Sequence, residues 1–343
     1  MLFFERDLAI DPGTSSVLVY VHGKGIALRE PTVVAVDKLT GKLLRVGEEA
    51  QKMLGRTPGN IVAIHPITHG VISDYDMTQR MLQDLISRVT SFSVFKPRAI
   101  VCVPSSISGV EERAMIDACI EAGARRVYLL ESAVAVAVGA GVDVSRPEGR
   151  LVVDIGGGTT EVAVVSLGGV VECESIKIAG AAFDEAIIKY IRRKHGLLIG
   201  SRTAEELKLS LGCVYPRRDV GYEEVKGRGI NSGLPESAKI SSTEMAEALA
   251  EPAGVILDAI HTVIERTPPE LVADISAGGI IMSGGGSLLW GLDQMVADRT
   301  GIETTIVDDA QSTAAYGAGK MLRKLDDMQE GMINFARQRQ MKA

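Results

Sequence analysis

The sequence predicts an α/β protein made of two similar halves that face each other across a ligand cleft. Residues 7–21 and 151–165 share one plan: an apolar strand ending in an aspartate, a glycine turn with hydroxyl side chains, and a second apolar strand. The copies lie far apart in sequence, as expected if each half begins with the same hairpin. With 343 residues the chain is also long for one core, which favours two domains.

Composition excludes several classes of protein. Apolar residues make up 46% of the chain and charged residues 24%, which is typical of a folded globular protein. No apolar run reaches the ~18 residues of a membrane span, and we expect no signal peptide. A net charge of −7 without a basic stripe argues against nucleic acid as a partner. Scattered cysteines predict reduced, mostly buried thiols of a cytosolic protein: Cys102, Cys119, Cys173 and Cys213.

The glycine turns of the two hairpins predict a phosphate site. Glycine has no side chain to keep a ligand away, and its amide can point toward an anion. Asp11 and Asp154 each add a carboxylate for a hydrated Mg²⁺ ion, so two facing hairpins would hold one polyphosphate from both sides. One motif alone also fits an ordinary glycine-rich hairpin whose aspartate caps the turn. The residues expected to contact phosphate are Gly13, Thr14, Ser15, Ser16, Gly156, Gly157, Gly158 and Thr159.

A third glycine run, SGGGS, occupies residues 283–287. It follows the apolar stretch 279–282 and precedes Leu-Leu-Trp, which predicts a strand-to-helix turn with close backbone approach. Such a turn suits the nucleoside end of the ligand. The residues expected there are Gly284, Gly285, Gly286 and Ser287.

Apolar periodicity between these motifs predicts alternating strands and helices. Residues 99–103 read as a buried strand, and Ser108 with Glu111 has the spacing of a capping box. The polar, turn-rich residues 141–150 mark the expected domain boundary. Helical patterns cover residues 76–89, 183–195, 203–211, 243–266 and 269–277.

The order of the three motifs, D-x-G-T, D-x-G-G-G-T and a late G-G-G, resembles the superfamily of actin, sugar kinases and heat-shock chaperone ATPases. Within it the chain is similar to the MreB family of bacterial actins, including its Mbl-type paralogues. The similarity covers nearly the whole chain. Segments outside the nucleotide motifs carry it: GKGI at 23–26, VGEEA at 46–50, GRTP at 55–58, GVISDY at 70–75, FKPR at 95–98 and TPPEL at 267–271.

The resemblance implies an actin-like ATPase fold, with two duplicated α/β domains around a nucleotide cleft, each carrying a small lobe. It implies ATP and Mg²⁺ as cofactors, and it matches Glu205 and Lys208 to the pair that holds ribose and adenine. Without the family, a surface ion pair at i,i+3 explains those two residues better. The implied domains are residues 1–140 with a small lobe at about 31–66, residues 141–318 with a small lobe at about 182–243, and a C-terminal helix, 319–343, returning to domain I.

The chain departs from the family where hydrolysis is expected. After the strand at 127–130 the family typically has two glutamates, the second near the attacking water, whereas this chain has Glu131 followed by Ser132. A serine is a poor base but can still hold a water. Ser16 replaces an asparagine and residues 181–184 read AAFD in place of DEMD, so we expect nucleotide binding to survive better than fast hydrolysis. The candidate catalytic residues are Glu131, Ser132 and Thr160.

A membrane contact is implied for the segment before residue 98. Phe92, Val94 and Phe95 alternate with polar residues ahead of Lys-Pro-Arg. In the family an apolar loop here dips into the cytoplasmic leaflet, and weak contacts of single subunits add up on polymerisation. The alternative is local packing on the preceding helix. Residues 1–4 are either a second insertion element or the start of the first strand.

The leading hypothesis is an ATP-binding bacterial actin that polymerises head to tail and directs cell shape by organising peptidoglycan synthesis. Its expected location is cytoplasmic, peripheral at the inner face of the cell membrane. Its expected partners are further copies of the chain, the membrane surface, and membrane-embedded elongation and wall-synthesis proteins. A non-hydrolysing scaffold is an alternative that differs from this hypothesis only in the role of Ser132. A soluble sugar or metabolite kinase of the same fold needs a general base and a sugar pocket, and the sequence assigns neither.

Overall fold

The structure, a computed structural model, describes residues 7–90 and 95–327 and is a mixed α/β fold. The strands in the described residues are β1 (Leu8–Pro12), β2 (Ser16–Val21), β3 (Gly25–Pro31), β4 (Val34–Asp37), β5 (Leu43–Val46), β6 (Ile61–Ile64), β7 (Ile67–Thr68), β8 (Val71–Ile72), β9 (Arg98–Val103), β10 (Arg126–Glu131), β11 (Arg150–Ile155), β12 (Thr160–Ser166), β13 (Gly169–Ile176), β14 (Leu197–Leu198), β15 (Tyr222–Gly229), β16 (Pro235–Ser241), β17 (Ile280–Ser283) and β18 (Thr304–Ile306). The helices are α1 (Glu48–Gln51), α2 (Tyr75–Thr90), α3 (Gly109–Glu121), α4 (Ser132–Gly139), α5 (Gly180–His195), α6 (Ser201–Leu211), α7 (Ser242–Arg266), α8 (Pro269–Gly278), α9 (Leu292–Thr300) and α10 (Thr313–Met321), with 3₁₀ turns at Gly285–Leu288 and Leu322–Asp327.

Two five-stranded sheets repeat the same topology. The strand order is β3-β2-β1-β9-β10 in the first sheet and β13-β12-β11-β17-β18 in the second. In each, the first three strands pair antiparallel and the last two add in parallel. Both also carry a bulge between their second and third strands, at Val19/Tyr20 and at Val164/Val165. The prediction of a duplicated α/β fold is confirmed.

Helices α4 and α10 lie between the two sheets. Their apolar faces share one core cluster with Ile100 and Leu130 of the first sheet and Val152 of the second. The two helices approach closely because their contact residues are small: an ideal Cβ on Gly317 would lie 1.7 Å from the Ala135 carbonyl oxygen. The halves of the molecule are therefore joined through this helix pair.

Each half carries a smaller sheet. Strand β4 pairs with β5 and β6 in one, and β15 pairs with β14 and β16 in the other. These sheets fall inside the ranges expected for the two small lobes. Helix α10 contacts strands of the first sheet, and residues 328–343 of the expected C-terminal helix lie outside the described part of the chain. The domain bounds themselves stay a prediction.

Several local predictions are confirmed. The five predicted helices are present, and the largest difference is at α5, which begins at Gly180 instead of residue 183. Ser108 and Glu111 form the expected capping box, in which the Glu111 carboxylate accepts from the Ser108 amide at 2.9 Å. All four cysteines are free thiols, three buried and Cys173 partly exposed. Among the described residues, no helix combines the length and apolar character that crossing a bilayer requires.

The close approach of α4 and α10 gives a stability prediction. Gly317→Ala places a methyl group against the Ala135 carbonyl, and we expect the free energy of unfolding to fall by about 2 kcal/mol. Gly254→Ala in α7 is the matched control because no atom lies within 4 Å of its added Cβ. It should raise stability by roughly 0.5–1 kcal/mol through helix propensity. Urea unfolding measures both, and equal values for the two variants would contradict the packing.

Candidate functional site

The turns of the two large hairpins meet face to face. The first turn, residues 13–15, joins β1 to β2, and the second, residues 156–159, joins β11 to β12. An ideal Cβ on Gly157 would lie 1.8 Å from Ser15 Oγ, and one on Gly158 would lie 2.6 Å from Thr14 Oγ1. Only glycine permits this approach. The structure thus brings together the two turns that the sequence pairs.

Neighbouring elements hold each turn in place. The Thr32 hydroxyl donates to the Gly13 carbonyl at 2.6 Å, and the Gly156 amide donates to the Thr159 carbonyl at 2.9 Å. The first amides of α5 donate to the carbonyls of the second turn, from Gly180 to Gly156 at 3.1 Å and from Ala181 to Gly157 at 2.8 Å. These hydrogen bonds fix the geometry of both turns. They occupy the carbonyls of Gly13, Gly156, Gly157 and Thr159.

Two aspartates flank the turns, each next to last in the strand that leads into its turn. Burial raises the pKa of Asp11 to about 6. Burial, followed by the negative charges of Asp11 and Glu161, raises the pKa of Asp154 to about 8. None of the interactions responsible comes from a lysine or arginine. Uncompensated carboxylates of this kind suit a bound divalent cation.

The described residues do not form a closed metal cage. No group of three or more His, Cys, Asp or Glu side chains there has metal-binding geometry. Two carboxylates are what a largely hydrated Mg²⁺ needs, since this ion keeps several waters and binds through one or two carboxylates together with phosphate oxygens. Asp11 and Asp154 therefore fit the expected ion in number and in charge.

Glu161 is a site residue that the sequence reading missed. It lies opposite Asp154 in the β11–β12 register, is 5% exposed, and accepts a hydrogen bond from the Ser105 amide at 2.9 Å. Burial raises its pKa, and the bonds from Ser105 oppose that rise. The signal was present, because Glu161 directly follows the G-G-G-T-T turn on a strand whose pairing with Asp154 the hairpin dictates.

The candidate catalytic residues lie near the ends of the parallel strands. Glu131 ends β10 and is 6% exposed, and Ser132 begins α4. The Ser132 hydroxyl donates to the Val103 carbonyl at the end of β9, at 3.1 Å. The Thr160 hydroxyl donates to the Ile178 carbonyl at 2.6 Å and is fully buried, which gives it a structural partner.

Lys208, which is expected on the nucleoside side of the site, contacts α5, the helix whose first amides hold the second turn. Its Nζ lies 2.8 Å from Asp184 Oδ1 and 3.1 Å from the Gly180 carbonyl oxygen. Lys208 therefore pairs with Asp184 rather than with Glu205, which is exposed, and the interpretation as an i,i+3 ion pair is wrong. Asp184 is the acidic residue that remains in the AAFD segment.

The third glycine run packs on the second hairpin. Gly284 has φ +81°, and its ideal Cβ would lie 2.2 Å from the Ile155 carbonyl oxygen and 2.8 Å from Asp154 Oδ1. Gly286 is held equally close to Ile155, whereas Gly285 has nothing nearer than Gln311 at 3.5 Å. The buried Ser287 hydroxyl donates to the Gly284 carbonyl at 2.7 Å. The expected strand-to-helix turn is present, with a 3₁₀ helix after β17.

A further turn contacts both hairpins. His69 Nδ1 lies 3.0 Å from the Gly158 carbonyl oxygen, and the Gly70 amide donates to Thr14 Oγ1 at 3.1 Å. In the sequence, residues 70–75 contribute only to the resemblance to the MreB family. The sequence predicts no role for His69, because these contacts join residues that are distant in the chain.

Comparison with known proteins decides the family. A sequence model of the MreB/Mbl protein family matches residues 5–330. The chain belongs to the MreB/Mbl family. The cell shape-determining protein Mbl of Bacillus subtilis is 47% identical over 328 residues, 95% of this chain and 98% of that protein. The cell shape-determining protein MreB of Escherichia coli K12 is 47% identical over 329 residues, 94% of this chain and 95% of that protein.

Solved structures agree with this assignment. The crystal structure of MreB5 of Spiroplasma citri bound to ADP has a TM-score of 0.91 and 35% identity, covering 95% of this chain and 98% of that one. The MamK double helical filament has a TM-score of 0.81 at 22% identity, covering 93% and 99% of the two chains, which is a likeness of fold alone. The MreB-family resemblance and the actin-like fold are both confirmed.

The expected membrane segment is only partly described. Phe92 and Val94 lie outside the described residues, as do residues 1–4. Phe95 is described and is 53% exposed, and the exposed Lys96 follows it. The membrane contact expected of this segment stays a prediction.

The third glycine run yields a second stability prediction. Gly284→Ala strains a left-handed backbone and meets the Ile155 carbonyl, so we expect a loss of about 2 kcal/mol or more in the free energy of unfolding. Gly285→Ala, the control in the same run, should stay within about 0.5 kcal/mol of the parent. Chemical denaturation measures both, and equal tolerance at 284 and 285 would refute the contact with the hairpin.

Proposed function

We propose that this chain is a bacterial actin that binds ATP with Mg²⁺ in the cleft between its two hairpins. The observation that carries the proposal is the meeting of two glycine turns from separate sheets beside two aspartates whose pKa values are raised. The crystal structures of the Spiroplasma citri relative MreB5 bound to ADP and to AMPPNP support it, at 35% identity over most of both chains.

The residues divide by chemistry. Turn amides and hydroxyls of residues 13–16 and 157–159 donate to phosphate oxygens, beside Gly156, whose amide holds the Thr159 carbonyl. The third glycine run, with Glu205 and Lys208, faces the nucleoside. Asp11 and Asp154 hold the hydrated Mg²⁺, which neutralises phosphate charge when bound. Asp184 and the Gly180 carbonyl position the Lys208 side chain.

Hydrolysis is proposed to be slow. Ser132 stands where a glutamate is expected, and its hydroxyl is engaged by the Val103 carbonyl. A serine cannot take the proton of an attacking water as a carboxylate does. Residual ATPase activity would depend on Glu131 or Glu161, the two buried glutamates described above.

We further propose the wider role that the family resemblance implies. ATP-bound subunits assemble head to tail into filaments that lie on the inner face of the membrane and organise peptidoglycan synthesis. The relatives from Bacillus subtilis and Escherichia coli are named as cell shape-determining proteins, which supports this role. The proposed division into domain I (1–140), domain II (141–318) and a C-terminal helix (319–343) rests on the repeated sheets and the polar linker at 141–150.

Nucleotide binding is tested through the two aspartates. In Asp11→Asn and Asp154→Asn the Mg²⁺-dependent part of the affinity for a fluorescent ATP analogue should be lost, a weakening of about ten-fold or more, because a neutral amide no longer attracts the ion. Asp219→Asn, an exposed loop carboxylate, is the control and should match the parent. Mg²⁺-independent binding in the parent, or none, would contradict the site.

The serine at position 132 is tested by restoring a carboxylate. Ser132→Glu should increase phosphate release about ten-fold or more at unchanged ATP affinity, because it supplies the missing base. Steady-state phosphate release together with analogue binding measures both quantities. No gain would mean that hydrolysis is not limited at this residue.

Membrane filaments are tested by pelleting with liposomes under ATP, ADP or no nucleotide. We expect ATP-dependent co-sedimentation that Phe95→Ser reduces, because weak apolar contacts add up along a polymer. Leu39→Ser, at an apolar side chain 86% exposed in a distant turn, is the control. A chain that stays in the supernatant under all conditions would refute the filament and favour a soluble kinase.

A further inference from the structure

Arg29 connects the edge strand of the first sheet to a distant segment of the second half. Its guanidinium donates to the Gln311 side-chain oxygen at 2.7 Å and to the Ser312 hydroxyl, and it lies 3.8 Å from the Asp309 carboxylate. A guanidinium is a planar fork, so it can bond two neighbouring acceptors at once. One side chain of β3 thus holds three residues that lie at the other end of the sequence.

The segment that Arg29 contacts is a place where the chain passes between the halves. Strand β18 belongs to the second sheet, whereas α10 contacts strands of the first sheet. Residues 307–312 connect the two, and we call them the crossover. The Val307 amide donates to the Met282 carbonyl at 3.1 Å, so the crossover begins on the second sheet. A bond from β3 to the crossover therefore restrains how the halves are placed relative to each other.

The bond to Ser312 is not explained by the helix that follows. Ser312 is the N-cap residue of α10, where a serine hydroxyl ordinarily accepts from an amide of the first helical turn. Here the buried hydroxyl makes no capping bond and accepts from Arg29 instead. A cation beside a helix N-terminus is also unfavourable for the helix dipole. The arrangement replaces a helix cap with a contact between the halves.

The crossover also holds the third glycine run. The Ala310 carbonyl accepts from the Gly284 amide at 2.8 Å. The Gln311 side chain is the nearest group to Gly285, whose ideal Cβ would lie 3.5 Å from its Nε2. Arg29 therefore bonds the two residues that directly follow the carbonyl fixing this turn.

On the first sheet, Arg29 lies in line with Asp11. Asp11 is opposite Leu18 in the β1–β2 register, and Leu18 is opposite Arg29 in the β2–β3 register. Residues opposite each other in antiparallel strands share one face of the sheet. The face that carries Asp11 therefore also carries the side chain that bonds the crossover.

We infer that Arg29 is a positioning residue for the nucleotide, because it ties the crossover to the first sheet and keeps the third glycine run correctly spaced from the first hairpin. The inference rests on the proposed nucleotide site and adds to it a residue that contacts no ligand. A nucleotide that spans both halves needs the phosphate turns and the third glycine run in place at the same time. Loss of Arg29 widens the range of spacings, so part of the binding free energy is spent on ordering them.

Amide hydrogen exchange of the full-length chain without nucleotide tests the tie directly. In Arg29→Ala we expect the Gly284 amide, resolved by NMR, to exchange about five-fold faster, because its acceptor carbonyl is held less firmly. Arg45→Ala is the matched control, since Arg45 is also exposed but pairs with Glu49 inside the first half. Its Gly284 amide should exchange as in the parent.

Affinity for a fluorescent ATP analogue with Mg²⁺ is the second readout. Arg29→Ala should weaken binding about five-fold, and Arg45→Ala should leave it unchanged. Gln311→Ala removes one acceptor at an exposed position and should change both readouts in the same direction as Arg29→Ala. Because Arg29 and Gln311 act through one bond, the double variant should bind within about two-fold of Arg29→Ala.

Parent-like exchange at Gly284 or parent-like affinity in Arg29→Ala would overturn the inference, as would additive losses in the double variant. Equal effects of Arg45→Ala would also overturn it, because the loss of any exposed arginine would then suffice. A parent that binds no nucleotide would overturn the proposed function, and the exchange measurement would still decide whether Arg29 holds the crossover.

Discussion

The fold depends on how closely the two halves of the chain can approach each other where they meet. At the cleft, glycines of the second hairpin lie against hydroxyl side chains of the first. Behind it, α4 and α10 cross with a glycine facing a carbonyl. An ideal Cβ would lie 1.8 Å from Ser15 Oγ at the first contact and 1.7 Å from the Ala135 carbonyl oxygen at the second, so neither contact has room for a side chain. Small residues thus set the geometry on which the charged groups rely.

The charged residues of the site lie within that geometry. Burial and the negative charges of Asp11 and Glu161 raise the pKa of Asp154, and the hydrogen bond from Ser283 opposes that rise only in part. Burial alone raises the pKa of Glu161, against the hydrogen bonds from Ser105. On the opposite side Lys208 is neutralised by Asp184. The candidate site therefore combines carboxylates whose pKa values are raised with a lysine that is paired with a carboxylate. For the proposed nucleotide site, this asymmetry predicts one preferred direction of the polyphosphate.

The sequence was sufficient for features that depend on local pattern. Hairpins with an aspartate and glycines, helices with apolar periodicity, and the Ser108–Glu111 capping box were all predictable because neighbours in the chain specify them. The partner of Lys208, the bond between Ser105 and Glu161, and the bridge made by His69 were not. Each joins segments far apart in sequence, and no periodicity records which of many polar residues will face one another after folding.

The crossing of α4 with α10 has a mechanical consequence. Large interdigitating side chains oppose sliding, because each must change rotamer before the next position is reached. Here alanines and glycines face each other, and Lys320 of α10 holds the last carbonyls of α4, at Val138 and Gly139, with a flexible stem. Such a pair is suited to small shear displacements that cost little repacking. We therefore expect the two sheets to shift along this helix pair while their shared core stays buried.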